Sequence, residues 1–402
     1  MLSSQKNEKK QSVFGKLALI QGLYWVMFCS VSGFATVYML DRGISDAMVG
    51  IIIAIASLIS VVVQIATGFI MEKMPSLSLR KIISGSLLTM GVINLLLMFF
   101  NQSDALIALL YCLAVVLLYN VQPLMTSLVY EYVNAGYRVS FSITRGIGSG
   151  TYALTSFLLG GWLAKHSSLS IPVVTTVVAF FLLALLFYLP HIADDRNVLN
   201  KTVHEEKQVT TNLLKKYPSL LPLLVAIAMV FTFHTIVNVF LPQIITHVNG
   251  TKSQVGYAIA IASVVEIPVM FGFQWLERKF KVRNLLKISV IFFFIRSVLY
   301  LVAGNFLQIV PVQLLQMFSF AIITPAYAHY INELTEKKDN VKGQTFVMAA
   351  VTAGNVFGSF IGGQIITYGG VKNMLGLGVA VMVIGVIAMF YSMKVDKLQT
   401  NH

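Results

Sequence analysis

Apolar runs long enough to cross a bilayer recur along the whole chain. Six fall at about 15–40, 47–71, 82–100, 104–133, 140–164 and 169–190. Six more fall at about 219–247, 253–276, 283–303, 305–331, 343–366 and 371–393. A helix rises 1.5 Å per residue, so about 20 apolar residues cross the hydrocarbon layer. Within that layer a backbone must satisfy its own hydrogen bonds, and continuous runs of this length do so as helices. The sequence therefore predicts an all-α membrane protein with 12 transmembrane helices. Its apolar content of 57% and charged content of 11% are far from those of a soluble domain.

The runs form two sets. Val255-Gly256-x-x-x-Ala260-Ile261-Ala262-Ser263 repeats Val49-Gly50-x-x-x-Ala54-Ile55-Ala56-Ser57, about half the chain length earlier. Ser156-Phe157 with Gly160-Gly161 is echoed by Ser359-Phe360 with Gly362-Gly363. Residues 1–190 and 219–402 thus read as two six-helix parallel repeats. The polar segment 191–218 between them reads as a linker. Gly146-x-Gly148-x-Gly150 has the spacing of a dinucleotide loop, but no strand precedes it and it lies in an apolar run, so that match is spurious.

Charge gives the orientation. Of the 29 Lys and Arg, 23 lie in the tails and connections on the side that holds the N-terminus, and the opposite loops hold only Arg42, Lys165, Lys252 and Lys372. The positive-inside bias places both termini in the cytoplasm. The net charge of +13 then faces anionic lipid head groups, and a nucleic-acid partner loses its support. The N-terminal dozen residues read as a polar tail without a signal-peptide cleavage site. Cys29 and Cys112 both sit in apolar runs, so no disulfide framework or metal site is indicated, and no cofactor motif is present.

Gly68, Glu72 and Lys73, followed by Arg80 and Lys81, occupy the connection after the second run. This loop resembles the signature of the major facilitator superfamily, with Glu for the usual Asp, an insertion and no internal glycine. Glu277, Arg278 and Arg283 form a more degenerate copy in the second half. A carboxylate at a helix end beside basic residues suits a conformational latch, assigned to Gly68, Glu72, Arg80 and Lys81; a solvated basic loop is the plainer alternative. Gly50-Ile51-Ile52, Ser57-Leu58, Gln64 and Arg145-x-x-Gly148 narrow the likeness, as does the stretch from Gly256-Tyr257 to Arg296. These are similar to the lactose permease and its oligosaccharide–proton symporter relatives.

Few polar groups sit at membrane depth. Arg145 is the sole charge of the fifth run, and Glu131, near the inner end of the fourth, is the nearest acid in sequence. Pairing would offset the desolvation of both, whether for binding or merely to join helices. The resemblance implies that Arg145, Asn120 and Tyr152 contact a sugar, with Tyr24 a weaker candidate. Ser127 stands where the permease group has its fourth-helix acid, with Glu131 one turn away. Tyr152 replaces that group's Trp, and packing alone would also explain it.

Glu266 is the single acidic or basic residue between Gln254 and Phe271, with Pro268 two positions on. A carboxylate there costs roughly 2.5–3.5 kcal/mol to insert, so it belongs in a protein interior or a water-filled cavity. Arg296, midway along the next run, aligns with the arginine that the permease group uses in proton coupling. Glu266 and Arg296 are the proton-coupling candidates. Gln316 and Ser319 stand where that group carries its proton-handling His and Glu, so the group's proton path does not transfer directly. His234 and His329 are lone membrane histidines, more often packing residues than carriers.

These readings predict a secondary active transporter for a small polar solute, with a sugar or oligosaccharide first and H+ as coupling ion. It would work as a monomer in a bacterial plasma membrane. The alternatives are an exporter of drugs or other small compounds, a symporter of nucleosides or aromatic acids, and a receptor that has lost transport. An enzyme is not expected, because no nucleophile set or paired carboxylates converge at one depth.

Overall fold

The computed structural model describes residues 2–74, 77–99, 103–190 and 213–399. Among these residues every regular element is helical. The chain runs through α1 (Leu2–Phe28), α2 (Ala35–Asp41), α3 (Asp46–Lys73), α4 (Leu79–Phe99), α5 (Asp104–Asn134), α6 (Phe141–Leu163) and α7 (Ser170–Phe187). It resumes with α8 (Leu213–Lys216), α9 (Leu220–Val239), α10 (Leu241–His247), α11 (Lys252–Lys279) and α12 (Val282–Val302). It closes with α13 (Phe306–Leu314), α14 (Phe320–Leu334) and α15 (Lys337–Gln399). Of the expected linker, 191–212 lies outside the described residues.

Ten spans among the described residues are long and apolar enough to cross a membrane. The fifth expected run is α6, a helix of 23 residues that is not one of the ten. Arg145 and the Gly, Ser and Thr residues around it lower its hydropathy. The last span, Lys342–Asp396, is 55 residues long. At 1.5 Å per residue that is roughly 80 Å, more than twice the hydrocarbon thickness. Gly370 interrupts it with φ 74° and ψ 176°, backbone angles that an L side chain would resist.

Three expected helices are broken, the seventh at Phe240 between α9 and α10. The first run passes through a π-helical turn at Cys29–Gly33 before α2. The tenth divides into α13 and α14 around a 3-10 turn at Leu315–Met317, followed by Ser319 at φ −102°, ψ −87°. Hydropathy is blind to such breaks, because they alter backbone pairing and leave composition unchanged. Elsewhere local chemistry sets the ends: Thr251 and Gln254 form a capping box at α11, and the Asn305 side chain accepts from Gln308 N at α13.

The chain divides into two compact units. Unit 1 holds the described residues of Met1–Ser32, Leu58–Tyr152 and Leu169–Thr211. Unit 2 holds those of Gly33–Ser57, Ala153–Ser168 and Asn212–His402. In unit 1, α4 packs along α7 and α5; in unit 2, α15 packs along α9 and α12. Unit 2 also takes in the end of α6 and the start of α3. There a Cβ on Gly50 would collide with the Ser359 carbonyl and stand 3.1 Å from Gly363 Cα. One on Gly256 would collide with the Ser156 carbonyl and stand 2.6 Å from Gly160 Cα. The two echoes in the sequence thus pack against each other crosswise, with glycine at each crossing because the backbones leave no room for a side chain.

Candidate functional site

In unit 1 the polar and aromatic groups gather on α1, α5 and α6. Arg145, Ser149 and Tyr152 recur at helical spacing on one face of α6. Arg145 Nη1 donates to Ser149 Oγ at 2.6 Å, and its Cζ lies 4.0 Å from the Trp25 ring centroid. Trp25 fits because Gly148 has no side chain: a Cβ there would lie 2.8 Å from the indole Nε1. Trp25 meets Phe28 at 4.9 Å between centroids and Tyr152 edge-on at 6.1 Å, while Phe28 stacks on Tyr119 at 5.8 Å. Arg145 and Tyr152 therefore join one cluster, centred on a tryptophan that sequence reasoning missed. Its signal was its position beside Tyr24, one turn before Phe28.

Of the other first-half candidates, Tyr24 and Asn120 lie beside that cluster. Tyr24 is fully buried, and its hydroxyl donates to Leu118 O at 3.0 Å. Asn120 is buried, and its Oδ1 accepts from Thr67 Oγ1 at 3.2 Å. Gln64 Nε2 donates to Tyr119 O at 2.9 Å. Glu131 is half-buried near the end of α5.

In unit 2, Glu266 is half-buried on α11 and Arg296 is buried on α12, 2% exposed. Each reaches the break between α13 and α14. Gln316 Nε2 donates to Glu266 Oε1 at 2.9 Å, and Arg296 Nη1 donates to Ser319 Oγ at 3.0 Å. Glu266 also lies within electrostatic range of Arg296. Ser289 Oγ donates to the Ser319 carbonyl at 2.8 Å, tying α12 to the same break. Nearby, the His234 ring stacks on Phe320 with centroids 4.3 Å apart, and its Nε2 lies 2.9 Å from Asn238 Nδ2. Gln316 and Ser319 are thus the direct hydrogen-bond partners of Glu266 and Arg296.

The basic loops have structural partners. Arg80 Nη1 donates to Leu189 O at 2.9 Å, and Nη2 reaches Pro190 O and the Tyr132 hydroxyl. A cation there suits the carbonyl end of α7. Arg283 Nε, at the start of α12, meets Asp396 Oδ2 near the end of α15 at 3.0 Å. Tyr330 stands beside them as Tyr132 stands beside Arg80, and a cavity of about 270 Å³ opens there, lined also by Lys216 and Glu333. A Cβ on Gly68 would meet nothing within 4 Å. Lys81 is exposed, and the Glu72 side chain lies outside the described residues. Lys216 holds Asp339 at 2.7 Å and Glu336 at 2.8 Å, which push its ammonium above its ordinary pKa. His329 Nδ1 lies 2.8 Å from Glu277 Oε1.

A helical chain with, among its described residues, ten spans apolar enough to cross a membrane, a half-buried acid and a buried arginine along them has the character of a polytopic membrane protein. The profile of the MFS_1 like family matches residues 17–375, and the chain belongs to that family. Its family and relatives are membrane transporters of the major facilitator type, not enzymes.

A mutant form of the nucleoside transporter NupG superposes with TM-score 0.80 at 12% identity, over 95% of this chain and 99% of that one. A mutant form of the peptide transporter POT gives 0.71 at 11% identity, over 96% and 95%. Among curated relatives, the protein named for multidrug resistance, MdtD, of Salmonella typhi is 23% identical over 168 residues. That match covers 42% of this chain and 36% of the relative, so the chain spans little more than a third of its length.

Proposed function

We propose that this chain is a proton-coupled symporter that moves a small polar solute bearing a sugar ring by alternating access. In this reading it has twelve helices, counting α6 as a crossing and dividing α15 at Gly370. Residues 1–190 and 219–402 are the two six-helix repeats that rock, with 191–218 as linker. Both termini are cytoplasmic, by the Lys and Arg bias, and the protein works as a monomer in the plasma membrane.

The observation that carries the reading is the meeting of Glu266 and Arg296 at one helix break, through Gln316 and Ser319. A half-buried acid beside a fixed guanidinium changes protonation when water reaches it and when its surroundings close. Glu266 is the proton carrier and Arg296 its electrostatic partner. Arg145, Trp25 and Tyr152 suit a hydroxylated ring, because a guanidinium gives forked donors and an aromatic face gives an apolar platform. Asn120 and Tyr24 shape that cluster from α5 and α1, and Glu131, nearer the end of α5, is the further candidate of this half.

The test is external pH in lightly buffered, de-energised cells given pulses of sugars, nucleosides, organic acids and lipophilic cations. Alkalinisation with a sugar or nucleoside, absent from control cells, is expected. Acidification with a lipophilic cation would instead favour export, a reading supported by the MdtD relatives. Nucleosides, which carry a sugar ring, are the second substrate class, supported by the likeness to NupG.

A further inference from the structure

We propose that Gln316 is a positioning residue that serves both protonation states of Glu266 by turning its amide. In the charged state it offers Nε2 to the carboxylate; in the neutral state it offers Oε1 to the acid O–H. This inference rests on the reading of Glu266 as the proton carrier.

Three observations lead there. Gln316 is buried, 4% exposed, and its Nε2 donates to Glu266 Oε1 at 2.9 Å. Its Oε1 is buried and has no hydrogen-bond partner among the described residues. Gln316 also sits in the 3-10 turn Leu315–Met317, where the helix is already interrupted. A 3-10 turn in mid-helix is a common place for a hinge.

The chemistry selects an amide. An ionised carboxylate only accepts hydrogen bonds, whereas the neutral acid has one O–H to donate. A Lys or Arg at this position would bind only the charged form, and a second carboxylate would oppose it. An amide carries a donor and an acceptor on one pivot, so half a turn about its last bond exchanges them. The present state already bears the cost of one unpaired buried oxygen, so the turn replaces that cost and does not add a new one.

The neighbouring polar groups are each held by contacts of their own. Arg296 is held by Ser319 and flanked by the Phe293 and Tyr300 rings at 5.8 and 5.9 Å. His234, within electrostatic range of Arg296, is held by its stack on Phe320. The proton comes from hydronium in water that reaches Glu266, forms an O–H on the carboxylate, and leaves to water on the opposite side. Gln316 then couples that event to the break between α13 and α14, because Ser319, the arginine's partner, lies just past the turn that carries Gln316.

Infrared difference spectroscopy of the full chain in lipid vesicles, across a pH jump, tests this. Wild type is expected to show the C=O stretch of a protonated carboxyl that disappears in Glu266→Gln. In Gln316→Met, which keeps the volume and removes the amide, that band is expected at higher frequency, as for an acid that has lost a hydrogen bond. Uphill accumulation is expected to fall about tenfold, the scale of one hydrogen bond to a charged group, while exchange continues. Gln316→Leu gives the same reading if the Met variant fails to fold. A band lost in Glu266→Gln but unmoved in both Gln316 variants would overturn the role of Gln316 alone. A band indifferent to Glu266→Gln would overturn the proton-carrier reading, and this inference with it.

Discussion

Gly256 packs on Gly160 so closely that a Cβ on Gly256 would lie 2.6 Å from the Gly160 Cα. Gly50 meets Gly363 in the equivalent way, with 3.1 Å between such a Cβ and the Gly363 Cα. In each pair one member comes from the Val-Gly echo and the other from the Ser-Phe echo. Both crossings join a first-half helix to a second-half helix.

Gly256→Leu is therefore expected to unseat α11 from α6. Overpacking a tight contact costs about 1–3 kcal/mol, enough to lower the packed population roughly tenfold. Phe157 stacks on Tyr257 at 5.0 Å beside this crossing. A Phe157→Cys probe, with Cys29 and Cys112 replaced by Ala, is expected to react faster with a maleimide once Gly256→Leu is added. Unchanged labelling would mean that the crossing does not control access.

Glu266→Gln is expected to abolish accumulation against a gradient and to leave exchange intact, because the variant carries a permanent stand-in for the neutral acid. Counterflow and uptake in vesicles separate the two. Normal accumulation in this variant would remove Glu266 as the coupling group.

Arg145→Lys keeps the charge but loses the flat face that lies over Trp25 and the fork that reaches Ser149. A cation–π contact of this kind is worth about 0.5–2 kcal/mol. KM for the transported solute is expected to rise about tenfold, with thermal stability changed little. Trp25→Ala should raise KM likewise, with a loss of stability because the buried indole leaves a cavity; an unchanged KM in both would mark the cluster as packing.

Arg80→Ala is expected to lower stability, by about 1.5–3 kcal/mol for the hydrogen bonds of a charged donor. It would leave the Leu189 carbonyl without the Arg80 donor, and the Pro190 carbonyl with the Tyr132 hydroxyl alone. Arg283→Ala should unfasten Asp396 in the second half. The measurement is the thermal midpoint of the purified protein in detergent. No shift in either variant would show that these ends are held by apolar packing alone.

Much of this was legible in the sequence, and the limits have physical reasons. Apolar length is a local property, so the helices and the repeated Val-Gly and Ser-Phe segments could be read without a partner in view. The acid, the two arginines and the departures at Gln316 and Ser319 stood out for the same reason: a polar group in an apolar run is costly wherever it packs. The breaks at Cys29–Gly33 and Leu315–Ser319 were not legible, because they lie in backbone pairing that hydropathy does not register.

The sequence by itself determined that this chain is a bundle of membrane helices with a family likeness and a short set of polar groups at depth. Only the tertiary structure decided which of those groups meet. Gln316 joins Glu266 across 50 residues of chain, and Trp25 lies under Arg145 only because Gly148 opposite has no side chain. Such partnerships depend on how each helix is rotated and where it is interrupted, and those are set by packing between distant segments.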